Sequence, residues 1–172
     1  MDRENHKKEN YFEREKLIIQ RIRNLSLKRR LVLTYDSKGY YTSINIGVIF
    51  AKAGSKYNLW YLLGILNSTL MNEYYSRRFH NIQIKNKFLE QLPIRTMDFS
   101  NPAEKAQHDK LVASVDNMLE LQKKYHEARM ERDKELYERQ IKIVDAQIDR
   151  LVYNLYGLTE EEIKVVEGRG GR

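Results

Sequence analysis

Two short segments hold most of the side chains in this chain that can do chemistry with a polyanion. The first is Lys28-Arg29-Arg30, followed by Tyr35, Lys38, Tyr40 and Tyr41. The second opens on Arg77-Arg78-Phe79-His80-Asn81 and continues through Gln83, Lys85, Asn86 and Lys87. Arg and Lys donate to the paired acceptors of guanine, and Asn and Gln match the donor-acceptor edge of adenine. Contacts to phosphate fix position, whereas contacts to base edges carry sequence information. The second segment mixes both kinds of side chain on an alternating backbone. It therefore predicts a surface that grips and reads nucleic acid, with Lys28, Arg29, Arg30, Lys38, Tyr40, Tyr41, Arg77, Arg78, His80, Asn81, Gln83, Lys85, Asn86 and Lys87 as candidate contacts.

The charge distribution agrees with that chemistry. Residues 1–95 contain 18 Lys and Arg against 8 Asp and Glu, a surplus of ten cations, while residues 96–172 contain 13 against 16. Clustered cations gain free energy by releasing condensed counterions from a phosphate backbone. Other chemistries lack their residues. The chain has no Cys, which excludes a disulfide framework, a thiol nucleophile and a cysteine zinc site. His6, His80, His108 and His126 stand in no metal-ligand spacing, so no metal site is expected. Glu162 and Lys164 resemble a fragment of a nuclease metal site, but such pairs are expected by chance in a chain this rich in Glu and Lys. No P-loop, no dinucleotide-binding glycine pattern and no G-x-S-x-G occurs. We expect no catalysis by this chain. No apolar run is long enough to span a bilayer, the longest being 59–66, and residues 1–8 lack the apolar region of a signal peptide. A cytoplasmic location is expected.

The elements that must position these side chains follow from periodicity. Residues 16–24, 30–35 and 40–50 are rich in β-branched and aromatic residues and predict three or four strands, with turn chemistry at Asp36-Ser37-Lys38-Gly39. Leu59, Leu62, Leu63, Leu66, Leu70 and Tyr74 then fall three or four apart and predict one helix to about Arg78, with Asn58 as N-cap. Trp60 and this Leu-rich face are expected to be core. Residues 79–87 alternate and read as a short strand or extended loop before Pro93. The second half is different. Asn101-Pro102-Ala103-Glu104 combines an N-cap, a proline at the first helical position and a Glu placed to reach back. Leu111, Val115, Met118, Gln122 and Tyr125 form one coiled-coil seam, and Tyr137, Ile141, Val144, Ile148, Leu151 and Leu155 form another. Between them, 127–135 has almost no apolar residue in phase. A hairpin of two arms of about 25 residues is favoured over one rod packed against a second chain. Gly157 stops the second arm, and Thr159 with Glu162 opens a last short helix.

Three blocks of residues carry a resemblance: Tyr61-Leu62-Leu63-Gly64-Ile65-Leu66-Asn67-Ser68, Phe88-Leu89-Glu90-Gln91-Leu92-Pro93-Ile94, and Gln140-Ile141 through Ile148-Asp149-Arg150-Leu151-Val152-Tyr153-Asn154-Leu155-Tyr156-Gly157-Leu158-Thr159-Glu160-Glu161-Glu162-Ile163. In this order they resemble the TaqI-like C-terminal specificity domain, the target recognition domain of type IIG restriction-modification enzymes and adenine-N6 DNA methyltransferases, related to the specificity subunits of type I systems. The resemblance implies a parent protein that is an S-adenosylmethionine-dependent adenine-N6 methyltransferase, often fused to an endonuclease. It implies no cofactor in this chain. The family's catalytic Asn/Asp-Pro-Pro-Tyr/Phe motif is not found here, since Asn101-Pro102-Ala103-Glu104 departs from it at its last two positions.

The expected architecture is α+β: a basic, mixed α/β target recognition domain over residues 1–97, a helical coiled-coil hairpin spacer with a short C-terminal helix over 98–167, and a flexible tail over 168–172. The expected partners are double-stranded DNA and methyltransferase or endonuclease domains in cis or in trans, with no membrane. The competing reading is a coiled-coil assembly module that forms a homodimer and has no DNA specificity of its own.

Overall fold

The computed structural model describes residues 12–52, 54–55 and 57–168, so the expectations for residues 1–8 and 169–172 lie outside it. The chain divides into two compact units. One is Met1–Asn67 with Met71–Leu92, and the other is Ser68–Leu70 with Pro93–Arg172. As expected, the architecture is α+β.

In the first unit, Lys16–Gln20 (β1), Leu33–Asp36 (β2) and Ile46–Ile49 (β3) form an antiparallel sheet in the order β2-β1-β3. The register sets Lys16 opposite Asp36 and Ile19 opposite Leu33, while Leu17 faces Ile49 and Gln20 faces Ile46 on the other edge. Strand side chains alternate between faces, so Leu17, Ile19 and Leu33 share one face, where they are buried and where the helix Leu59–Asn67 (α1) packs. Asn58 begins that helix as expected, its side chain accepting the Trp60 N–H at 2.7 Å.

The strands are shorter than their composition predicts. Residues 30–32 resemble strand but lie ahead of β2, because their backbone finds side-chain partners instead. Asn72 Oδ1 accepts the Leu31 N–H at 2.7 Å and Asn72 Nδ2 donates to the Leu31 carbonyl at 3.2 Å. Asn67 does the same for Leu33, at 2.8 and 3.0 Å. Two helical amides thus imitate a neighbouring strand along the outer edge of β2 and keep that edge from pairing elsewhere. Residues 40–45 are likewise outside the sheet. β2 and β3 flank β1 and run parallel to each other, so the chain must travel back along β1 between them.

The helix expected over 59–78 is two helices, α1 and Thr69–Arg78 (α2). The break at Ser68 shifts the phase. Leu59, Leu63 and Leu66 are buried, but downstream the inward positions are Met71, Asn72 and Tyr75, while Leu70 is half-buried and Tyr74 exposed. The reason is a cap that no local pattern contains. Within the second unit, Asp149 accepts the Thr69 N–H at 2.7 Å and its hydroxyl at 2.6 Å, which starts a new helix there. The extended stretch expected at 79–87 ends in a short helix, Asn86–Leu89 (α3).

In the second unit, Pro102–Glu127 (α4) and Glu131–Tyr156 (α5) are 26 residues each and form the expected hairpin, followed by Glu160–Val166 (α6). Leu111, Val115, Val144, Ile148 and Leu155 are buried, and the remaining seam positions are half-buried. Leu121, Val152 and Tyr153 join them, because a straight helix of 3.6 residues per turn drifts across a 3.5-residue seam. Asn101 caps α4 by accepting the Ala103 N–H at 2.9 Å. Glu104 departs from the expected capping box and reaches beyond the cap to the Asp98 N–H at 2.8 Å. The second box is complete, since Thr159 and Glu162 satisfy each other's backbone N–H. Glu162 thereby serves as the N3 residue of that cap. Gly157 takes the left-handed conformation, φ +68°, at the end of α5.

Candidate nucleic-acid interface

The basic segment around Lys28 is a closed loop. Arg23 donates from Nε and Nη2 to the Arg29 carbonyl, at 3.2 and 3.1 Å, and from Nη1 to Gln20. Asn24 Oδ1 accepts both the N–H and the hydroxyl of Ser26, which fixes the tip. Lys28 is exposed and Arg29 half-buried. Arg30 departs from the expectation of a surface contact. It is 1% exposed, and its Nη2 donates to the carbonyls of Asn81 and Ile82 at 2.6 and 3.3 Å. Its guanidinium lies 5.8 Å from the centre of the buried Tyr75 ring. Burial lowers the Arg30 pKa from its ordinary value, yet a guanidinium stays charged throughout the range in which proteins fold.

Arg30 therefore ties the first candidate segment to the second. The junction is extended by an isolated antiparallel bridge between Ile22 and Gln83, in which Ile84 N–H donates to Arg21 at 2.7 Å and Arg23 N–H to Ile82 at 3.3 Å. Along this short ribbon Gln83 is exposed, and Asn81 Oδ1 accepts the Gln83 N–H. Lys85 is half-buried, and Asn86 and Lys87 are exposed. Next to them in the chain Phe79 stacks on Phe88 at 4.7 Å and meets the tilted ring of Tyr75 at 5.1 Å, with Lys87 5.4 Å from Phe88 and Arg78 6.0 Å from Phe79. The stack is a floor for cations that remain in water. Arg77, Arg78 and His80 are exposed, and Arg77 is paired with Glu73 one turn earlier.

The remaining candidates begin at the far end of the sheet. Lys38, Tyr40 and Tyr41 follow Asp36, which pairs with the first residue of β1, whereas the Ile22–Gln83 bridge lies past its last. Six residues of strand separate the two ends by about 20 Å, roughly the rise of six base pairs. The crossover over 37–45 links them, because its last residue, Asn45, accepts the Arg21 N–H at 3.0 Å. Arg21, Arg23 and Asn45 are residues the pattern-based reading missed. The signal for the two arginines was the run Arg21-Ile22-Arg23, which continues the alternation past the buried strand.

A cleft of 590 Å³ lies apart from these side chains, lined by Arg14, Glu15, Tyr35, Ala51, Tyr57, Asn58, Leu59 and Trp60. Trp60, expected as core, is half-buried here and meets Tyr35 edge-on at 5.6 Å. Burial, with a hydrogen bond to Glu15, pushes the Tyr35 phenol up to about 12. Among the described residues no group of three His, Cys, Asp or Glu could hold a metal ion, and no helix is long and apolar enough to cross a membrane.

Residues 2–94 match the TaqI-like C-terminal specificity domain family. The chain is also 26% identical over 170 residues to the type II restriction enzyme and methyltransferase RM.Eco57I of Escherichia coli, an alignment covering 86% of this chain and 17% of that protein. The chain thus spans about a sixth of the length of that curated relative. No solved structure gives a significant match. With the match covering more than half of its residues, the chain belongs to the TaqI-like C-terminal specificity domain family.

Proposed function

We propose that the first unit recognises a sequence in double-stranded DNA for a restriction-modification methyltransferase, and that the helical unit is the spacer holding it at a set distance from the catalytic domains. The observation that carries the reading is the hydrogen-bonded junction of 23–30 with 81–84. It ties the segment that carries Lys28 to the one that carries Gln83, Lys85, Asn86 and Lys87, and the two segments together supply cations for phosphates and amides for bases. The methyltransferase and endonuclease domains, in cis or in trans, are the partners, in the cytoplasm with the DNA. S-adenosylmethionine belongs to the parent protein's chemistry. The cleft beside Trp60 does not fit it, because Arg14, Glu15 and Asn58 stand exposed where an adenine ring needs enclosing apolar walls.

Anisotropy titration of a fluorescent duplex tests the reading. The chain binds at low salt, and the combined replacement of Arg77, Arg78, Lys85 and Lys87 by Ala weakens binding on the order of 100-fold with oligomer size unchanged. A wild-type chain that ignores duplex DNA even at low salt contradicts it.

A second reading is an assembly module that pairs through the coiled coil. It has one observation in its favour: Leu136 and Ile143, one heptad apart on α5, are 51% and 59% exposed. Replacing both with Lys then dissolves an oligomer and leaves DNA affinity unchanged.

A further inference from the structure

We propose that the β2–β3 crossover, residues 37–45, is a second part of this unit that selects a base sequence, acting through Tyr41, Ile44 and Asn45. The proposal rests on the duplex-recognition reading above and assigns the selectivity within it. Ile44 is 88% exposed and Tyr41 75%, far more than folding requires of an apolar side chain. Exposed apolar groups of this kind on a loop beside cations fit the thymine methyl and the faces of bases, and the Asn45 amide fits an adenine edge.

The segment is also held in place. Asp36, at its start, accepts the N–H groups of Lys38 at 2.8 Å and Tyr40 at 3.0 Å, and Asp36 itself is fixed by the buried Lys16 ammonium at 2.5 Å. Lys16 donates in turn to the Phe12 carbonyl at 2.6 Å. In mid-course, Gly39 adopts φ +75° with its Cα against the Phe12–Glu13 backbone, where a Cβ would stand 3.5 Å from Glu13 Cα, and Tyr41 stacks on Phe12 at 4.7 Å. At its end, Ile46 N–H closes a turn on the Ser43 carbonyl and Arg21 N–H bonds to Asn45. A segment tied at start, middle and end presents its free side chains in one arrangement, which is what discrimination between base pairs needs. Pleating settles which way it runs. Lys16 and Asp36 point away from the face that carries Leu17 and α1, and the crossover bonds to Asp36. It therefore starts across the opposite face of the sheet.

The test uses the full chain and a pool of duplexes with a randomised ten-base-pair core. Selection yields a preferred sequence, and the ratio of affinity for that duplex to affinity for an unrelated one is then measured for Tyr41→Ala, Ile44→Ala, Asn45→Ala and Lys87→Ala. The first three lower the ratio by about tenfold or more and leave the unrelated duplex within about twofold, whereas Lys87→Ala weakens both equally. All four positions are on the surface, so circular dichroism should be unchanged; Tyr41→Ala also removes the stacking on Phe12, so Ile44→Ala and Asn45→Ala decide the assignment. Crossover variants that keep the wild-type ratio overturn the proposal while leaving duplex recognition standing. A pool that emerges unenriched also overturns it, and a wild-type chain that binds no duplex overturns the recognition reading beneath it.

Discussion

Lys16 and Asp36 are 0% and 3% exposed, and an ion pair so far from water adds little net stability, because desolvation offsets the attraction. What the pair supplies is geometry, since both carboxylate oxygens are committed to the turn that follows β2. Burial alone would raise the Asp36 pKa. The Lys16 ammonium and the N–H groups of Lys38 and Tyr40 outweigh it and hold the carboxyl below its ordinary value. A carboxyl whose folded pKa is depressed contributes fully above its unfolded pKa of about 4, and that contribution disappears as pH falls through the folded value. Asp36→Asn leaves Lys16 buried and unpaired, and we expect a loss of about 3–5 kcal/mol at pH 7. Urea unfolding at pH 7, 5 and 3 checks both statements. The gap between wild type and variant should be the same at pH 7 and 5 and smaller at pH 3; a gap that persists undiminished at pH 3 would show that the carboxylate is not the titrating partner. None of this was legible from residues alone. Lys16 read as the polar start of a strand and Asp36 as ordinary turn chemistry, because ion pairing across strands depends on a register that only the sheet order reveals.

At the level of elements, periodicity carried the helical half almost entirely, since its information is local: a cap, a seam and a glycine stop lie within a few residues of what they control. The first half was less legible because its decisive contacts are remote. Asn67 and Asn72 look like unremarkable polar helix positions, yet Asn67 satisfies both backbone groups of Leu33 on β2 and Asn72 both of Leu31 just ahead of it, and Asn72 is 1% exposed. Asn72→Ala strands a buried N–H and carbonyl of Leu31, and we expect a loss of roughly 3 kcal/mol in a thermal or denaturant melt. Asn72→Asp, which keeps the acceptor and loses the donor, should fall between. The hairpin turn points the other way. Met130 sits at the N-cap of α5 with no side-chain cap and is 64% exposed, while Glu131 and Asp133 already complement the helix dipole. Met130→Asp should therefore stabilise the chain by about 1 kcal/mol. A melting temperature that does not rise would show that the turn, rather than the missing cap, limits that end of the helix.

Across the whole molecule, the surplus of cations in residues 1–95 and its reversal beyond them give the two units different electrostatic roles, and this difference can be measured without knowing the target sequence. Each phosphate neutralised by a lysine releases condensed counterions and adds about 0.9 to the slope of log affinity against log salt. Lys85 and Lys87 follow the ribbon, at the start of α3 and within it, whereas Lys123 and Lys124 are exposed on α4 in the helical unit. Net charge falls by the same amount whichever pair is replaced by Ala, so a diffuse attraction between a basic protein and DNA predicts equal effects. Localised contacts predict unequal ones. Replacing Lys85 and Lys87 should lower the slope by nearly 2, and replacing Lys123 and Lys124 should leave it within about 0.3 of wild type, in titrations of one duplex between roughly 50 and 200 mM salt. The two slopes together locate the duplex. If both variants shift it equally, the charge acts as a cloud and the ribbon has no privileged place on the DNA; if only the α4 pair shifts it, the helical unit is the part that grips.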